Sequence, residues 1–218
     1  PRPGAAGRGW LERPYARRMT QAFWDERYAS ADLVYGAAPN EFLAEVAALL
    51  PQRGAALDIG AGEGRNALFL ASRGLDVLAV DQSVVGMRKA AALAAERGLT
   101  LQTRAVDLAA FTAAAGSLDV VTSIFVHLPA ELRAHVHRGV REWLKPGGIF
   151  VLEAYAPDQI HRSTGGPKDP AMLASLEALK GELEGLRIEH EAALVRSVVE
   201  GTFHSGEASV VQLVARKV

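Results

Sequence analysis

With 218 residues, 49 % of them hydrophobic and 22 % charged, the chain is long enough for one domain with a substantial core. A formal net charge of −1 supplies no basic field for nucleic acid, so no nucleic-acid partner is expected and a small-molecule substrate becomes the better reading. The absence of cysteine excludes a thiolate zinc site, a disulfide framework and a cysteine nucleophile. No run of about 18 apolar residues calls for a membrane span, and a cytoplasmic location is expected.

Pro1–Arg18 carries Arg2, Arg8, Arg13, Arg17 and Arg18 against one acid, Glu12, and lacks the apolar core of a secretory signal. It reads as a flexible extension, or as sequence upstream of a start at Met19, ahead of a single domain over 19–218. Phe23, Trp24 and Tyr28 recur at helical spacing within Gln21–Tyr28, either as core anchors or as aromatics closing a cleft. Asn40 is placed to cap a helix running to Leu50, with Phe42, Leu43, Val46, Leu49 and Leu50 inward.

Ala55–Ile59 reads as a short buried strand, Gly60–Gly64 as a tight turn, and Arg65–Arg73 as a helix stopping near Gly74. Glycines at alternate positions allow positive φ and leave no β-carbons in the way of a ligand lying across the loop. The helix start that follows favours an anionic group. A dinucleotide fold shows G-x-G-x-x-G, with a pyrophosphate on the helix N-terminus. Here the spacing is G-x-G-x-G, with Asp58 before the turn and Glu63 inside it. Two carboxylates aimed at the site would repel a pyrophosphate and suit a cation, such as the ammonium and sulfonium of S-adenosylmethionine (SAM).

Asp76–Asp81 is an apolar strand ending in a carboxylate at the sheet's carboxyl edge, where Asp81 is placed to accept ribose hydroxyls of either SAM or NAD. Ser83–Arg97 is a capped helix and Leu101–Val106 a third strand. Asp107 after it either caps the next turn or touches a ligand. Leu118–Phe125 is the fourth strand, leading through Val126–Pro129 into a helix with Leu132, Val136, Val140, Trp143 and Leu144 as its buried stripe. Ser123, Phe125 and His127 lie at the edge where a methyl donor would be exposed. His127 either orients a substrate and takes a proton, or is structural.

His135 and His137 point to different faces of their helix, and His190 and Glu191 diverge on a strand, so no metal site is expected. Lys145–Gly148 is a turn before a fifth strand, Ile149–Ala156, in which Glu153 is either near the substrate or a paired structural carboxylate. His161–Pro170 is a polar Gly-Pro loop, a substrate gate or an ordinary connection, and Met172–Leu183 resumes helical spacing. Leu186–Val199 and Ala208–Arg216 alternate as a hairpin with Glu200–Glu207 as its bend.

The segment DIGAGEGRN, Asp58 to Asn66, together with Asp81, Val106-Asp107-Leu108, Lys145-Pro146-Gly147-Gly148 and the terminal hairpin, resembles the class I SAM-dependent methyltransferases, and among them the tellurite-resistance TehB-like group. The resemblance covers roughly Phe23 to Lys217. It implies a Rossmann-like α/β fold: a seven-stranded, mostly parallel sheet with an antiparallel C-terminal hairpin strand and helices on both faces. It implies a helical lid over 19–50 and SAM as cofactor. The expected cofactor-binding residues are Asp58, Gly60, Ala61, Gly62, Gly64, Arg65, Asn66, Asp81, Gln82, Asp107, Leu108 and Ser123. The catalytic candidates are His127 and, by the resemblance, His204. The implied reaction is methyl transfer to a small molecule, with a chalcogen oxyanion such as tellurite or selenite as one acceptor. The alternatives are a methyltransferase for another metabolite or a macromolecule, a noncatalytic SAM-binding protein, and an NAD-dependent oxidoreductase. The last lacks both the dinucleotide spacing and a Tyr-x-x-x-Lys pair. Oligomeric state has no signature in the sequence.

Overall fold

The computed structural model describes residues 19–201 and 204–218, the side chain of His204 excepted, so the arginine-rich stretch 1–18 lies outside the described residues. Seven strands form one sheet in the order β3-β2-β1-β4-β5-β7-β6. The strands β1 (Ala55–Ile59), β2 (Asp76–Asp81), β3 (Leu101–Ala105), β4 (Leu118–Ile124) and β5 (Leu144–Tyr155) pair in parallel. A terminal hairpin, β6 (Leu186–Glu200) and β7 (His204–Lys217), adds β7 antiparallel to β5. The expected mixed sheet is therefore the observed one. The chain order reverses between β1 and β4, and at such a switch point a crevice opens at the strands' carboxyl ends.

Residues two apart on the central strands feed two separate cores, as the pleat requires. Leu57, Ile59, Val121, Phe150 and Leu152 face one side, against α5 (Ala130–Trp143) and α6 (Leu176–Glu182). Ala56, Val77, Ala79, Val120, Ile149 and Val151 face the other, against α2 (Glu41–Glu45), α3 (Arg65–Ser72) and α4 (Val84–Glu96). The stripe Leu132, Val136, Val140, Trp143 and Leu144 is buried as its spacing predicts. Ahead of the sheet, α1 (Gln21–Tyr28) starts at Thr20, whose hydroxyl accepts from the Phe23 N–H. Among the described residues no helix is long and apolar enough to cross a membrane.

Three local expectations are corrected. The helix after Asn40 is only α2 and then tightens to a 3-10 turn over Val46–Leu49, because Pro51 holds Leu50 extended (φ −80°, ψ 146°). Leu49 consequently turns outward and is 46 % exposed. The span Met172–Leu183 splits into a 3-10 turn, Pro170–Met172, and α6, which begins at its own cap, Ser175. The hairpin strands run further than expected, leaving the turn between Glu200 and His204.

Glu153 is fully buried, and it is a paired carboxylate rather than a group in the cleft. It accepts from Arg196 Nε and Nη2 (2.8 Å each), Asn40 Nδ2 (2.6 Å) and Gln212 Nε2 (2.8 Å). Arg196 also reaches Glu200 (3.2 Å) and Glu41 (2.7 Å), so one cation serves three carboxylates. Truncating one partner of such a cluster strands a buried charge, at about 3–5 kcal/mol. Arg196→Met is therefore expected to lower the urea midpoint by that equivalent, whereas the exposed pair partner Arg187, replaced likewise, should shift it by under about 1 kcal/mol.

Candidate functional site

The site begins at the end of β2. Asp81 Oδ2 accepts the Gly62 N–H at 2.9 Å, and Oδ1 accepts the Ser83 N–H at 2.8 Å, so one carboxylate ties the glycine turn to the start of α4. Burial pushes its pKa up, and these two N–H bonds oppose that shift. Gly60 and Gly62 have φ of +63° and +56°, which other residues rarely adopt. A β-carbon on Gly62 would lie 2.7 Å from the Tyr28 hydroxyl, so the turn needs glycine for space as well. Gly64 (φ +87°) packs the turn against α4, where a β-carbon would meet that of Ala90 at 2.6 Å.

Over this turn lies α1. The Ser83 hydroxyl caps α4 by accepting from Gly86 N (3.0 Å) and donates to Asp25 of α1 (2.6 Å), which also accepts from Val85 N (3.1 Å). Lys89 Nζ donates to Glu63 (2.6 Å) and to the carbonyls of Ser30 (2.7 Å) and Asp32 (3.2 Å). The other Glu63 oxygen accepts from Val34 N (2.8 Å), so the segment 20–34 is latched to the turn at both ends.

Between turn, α1 and the ends of β2 to β5 is a cavity of about 780 Å³, within the usual range for a small-molecule site. Its wall has polar members, Gly60–Gly62, Asp81, Gln82 and Asp107, and apolar or aromatic ones, Phe23, Trp24, Tyr35, Phe125, Val126, Leu128, Leu132 and Met172. His127 also lines it, its ring stacked on Tyr155 at 5.3 Å and 15°. Phe125, just past β4, has a φ of +53°, uncommon outside glycine, and its ring packs on Tyr155 at 4.6 Å.

Of the residues singled out from sequence, the structure brings Gly60, Ala61, Gly62, Arg65, Asn66, Asp81, Gln82, Asp107, Leu108 and His127 to the cavity wall. Asp107 is both cap and wall, since Oδ1 accepts from Ala109 N at 2.9 Å. Gln82 also spends its amide on the Met19 carbonyl (3.1 Å). Asp58, Gly64 and Ser123 are not part of that wall. Asp58 lies directly opposite Thr122 on β4 and takes its hydroxyl at 2.6 Å, behind the turn. Glu63 reaches the wall with its carboxylate engaged by Lys89 and Val34. Asp58 and Glu63 are therefore spent on the protein itself, and the carboxylates placed for a ligand are Asp81 and Asp107. His204 opens β7 opposite Glu200, and its side chain lies outside the described residues.

Sequence reading missed Arg27, Tyr35, Leu128 and Met172 as wall residues. Gly165, Gly166 and Pro167 of the Gly-Pro loop also line the cavity, so that loop does border the site. The Gly-rich loop was a usable signal for its own placement. Nothing in the sequence marked Tyr35, which is set by Gly201 of the hairpin turn packing on the Val34–Tyr35 backbone.

Residues 56–148 match a family model described as a methyltransferase domain. Over 113 residues the chain is 33 % identical to 2-heptyl-1-hydroxyquinolin-4(1H)-one methyltransferase of Mycobacteroides abscessus, an alignment covering 48 % of this chain and 50 % of that protein. The chain thus spans half or less of the length of the curated relatives it matches. Among solved structures it is similar to a SAM-dependent methyltransferase of Methanosarcina mazei (TM-score 0.67, 19 % identity, 80 % of this chain and 97 % of that one). It is equally close in shape to TehB of Haemophilus influenzae (TM-score 0.67, 17 % identity, 91 % and 67 %). The fold is that of the class I methyltransferases.

Burial pushes the Asp58 carboxyl up to about 7, against an ordinary 3.8, and the Thr122 hydroxyl offsets only part of that. A raised carboxyl stays protonated in the fold while the unfolded chain ionises it. Stability contributed here falls as pH rises from about 4 through about 7 and is constant above. Asp58→Asn is expected to flatten the decline in urea midpoint between pH 5 and pH 8; an undiminished decline would show Asp58 ionised throughout.

Proposed function

We propose that this protein is a SAM-dependent methyltransferase acting on a small, flat and largely apolar acceptor. The observation that carries the reading is one cavity whose wall holds the glycine turn and Asp81 together with aromatic side chains and His127. Asp81 and Asp107 suit the ribose hydroxyls and the adenine amine. The space kept open at Gly60 and Gly62 fits the backbone-hugging part of the same ligand, so the residues present fit SAM. Bound there, SAM would supply an electrophilic methyl group on a sulfonium with a good leaving group.

The chain's own contribution is largely positioning, since bringing reactants to about 3–3.5 Å in line is worth roughly 7–11 kcal/mol. Phe125, Leu128, Leu132 and Met172 hold the acceptor by apolar contact, and Trp24 and Tyr35 of the lid segment cover it from water. His127, its ring plane set by Tyr155, accepts the acceptor's hydroxyl proton on an imidazole nitrogen as the oxygen takes the methyl group. The Mycobacteroides relative is named for a hydroxyquinolone, and an aromatic-walled chamber suits an acceptor of that kind. A chalcogen oxyanion fits less well. Three carboxylates, Glu63, Asp81 and Asp107, line the described wall, a setting that disfavours an anionic acceptor. A noncatalytic SAM sensor would have no need of the chamber.

Transfer of tritiated methyl from SAM is expected to hydroxylated bicyclic heteroaromatics, with selenite and tellurite as weaker acceptors; no transfer to any of them, with SAM bound, would favour the sensor. Asp81→Ala removes charged hydrogen bonds worth about 1.5–3 kcal/mol each, so calorimetry should show S-adenosylhomocysteine binding weakened about tenfold or more.

A further inference from the structure

The Gly-Pro loop after β5 borders the cavity, and the chemistry above gives it no task. It leaves the sheet at Ala156, whose N–H goes to the Ser209 carbonyl of β7, and returns at Ala174, whose N–H goes to the Tyr155 carbonyl at the end of β5. Both of its ends are therefore fixed on neighbouring strands. Between them Gln159 is fully buried and holds the loop from inside. Its Oε1 accepts the Ser209 N–H at 2.8 Å, and its Nε2 donates to Thr164 Oγ1 at 3.0 Å and to the Gly165 carbonyl at 3.1 Å. The Thr164 hydroxyl carries the connection back to β7 by donating to the Glu207 carbonyl. Lys168 closes the loop on itself through the Arg162 carbonyl at 2.6 Å. A loop whose polar groups are satisfied in this way is a fixed wall rather than a swinging gate.

Gln159 does not line the cavity, whereas Gly165, Gly166 and Pro167 do. Gly166 has a φ of +82°, and a β-carbon there would lie 2.7 Å from the Tyr155 ring, so the loop backbone rests against that ring. The same ring carries His127 and Phe125. In the sheet order β5 and β7, which anchor the loop, lie beyond β4 from β1 and β2, which carry the glycine turn and Asp81. The loop thus meets the cavity beside His127 and away from the end that would hold the donor's sugar.

We infer that Gly165–Pro167 is a fixed wall for the methyl acceptor, and that Gln159 is a positioning residue that sets acceptor affinity through that wall without touching acceptor or donor. The inference rests on the methyltransferase reading above. A wall made of two glycine backbones and a proline ring presents no charged side chain, which fits the edge of a flat, apolar ring system.

The test titrates two ligands by calorimetry: S-adenosylhomocysteine into the free protein, and 4-hydroxyquinoline into the protein saturated with S-adenosylhomocysteine. Gln159→Met keeps the volume and withdraws the amide, and Thr164→Val keeps the shape and withdraws the hydroxyl. Each is expected to weaken 4-hydroxyquinoline about three- to tenfold, as loss of buried hydrogen bonds implies, and to leave S-adenosylhomocysteine within about twofold. In methyl transfer the KM for 4-hydroxyquinoline should rise by the same factor with kcat within about twofold. The double variant should be no weaker than the weaker single one, since both act through one wall. Should Gln159→Met fail to fold, Thr164→Val decides alone. Equal weakening of both ligands would make the clip merely structural and overturn the inference, as would unchanged acceptor affinity in a folded variant. If the unaltered chain binds no S-adenosylhomocysteine, the SAM reading falls and this inference with it. If it binds S-adenosylhomocysteine but not 4-hydroxyquinoline, the acceptor class falls, and again this inference with it. If it binds both and the variants do not separate them, only this inference falls.

Discussion

The Asp81 carboxylate is the interaction on which the rest of the site depends. Its two oxygens take the N–H groups of Gly62 and Ser83, so the end of β2 sets the glycine turn and the start of α4 together. Ser83 passes that constraint to α1 through Asp25, and Lys89, two turns along α4, repeats it through Glu63. Turn, α4 and α1 are one hydrogen-bonded unit referenced to a single strand end. Because each Asp81 oxygen keeps a lone pair, the same carboxylate can hold the site together and still accept a ligand's hydroxyls. Its burial makes the bonded partners necessary, since a bare carboxylate there would be costly.

A second constraint comes from the far edge of the sheet. The cluster of Glu153, Arg196, Glu200 and Asn40 joins β5, β6 and the segment before α2, and it ends on Arg65 beside the cavity. Buried ion pairs of this sort add little net stability, because desolvation offsets most of the attraction. Their effect is geometrical. Together with Gly201 against the Val34–Tyr35 backbone, the cluster holds the end of the hairpin against Arg65 and Tyr35, which themselves line the cavity.

Much of this was legible in the sequence, and the boundary has a physical cause. Strand and helix periods are local, so the strands and the α5 stripe follow from spacing, whereas a sheet covered by helices on both faces followed from the family resemblance. Asp81 and Asp107 could be placed because a strand end in an open α/β sheet has only one edge to occupy. Side-chain direction across strands was not legible. Asp58 sits in register with Thr122, 64 residues away, and that neighbour turns it from the cleft into the sheet. Glu63 was drawn to Lys89, and Glu153 found Arg196, a partner on a strand not yet begun. Leu49 was misplaced because Pro51 tightened the preceding turn. Tyr35 and Arg27 escaped notice because their position depends on how α1 and the loop after it dock, a tertiary event with no periodic trace.

The account's central claim is that an adenosyl ligand lies across the glycine turn with its sugar on Asp81. The most direct measurement is a crystal structure of the protein with S-adenosylhomocysteine bound. The claim predicts both ribose hydroxyl oxygens within about 2.6–3.2 Å of the Asp81 carboxylate and the adenine beside Asp107 and Leu108. Ligand density elsewhere, or a sugar that makes no contact with Asp81, would contradict it.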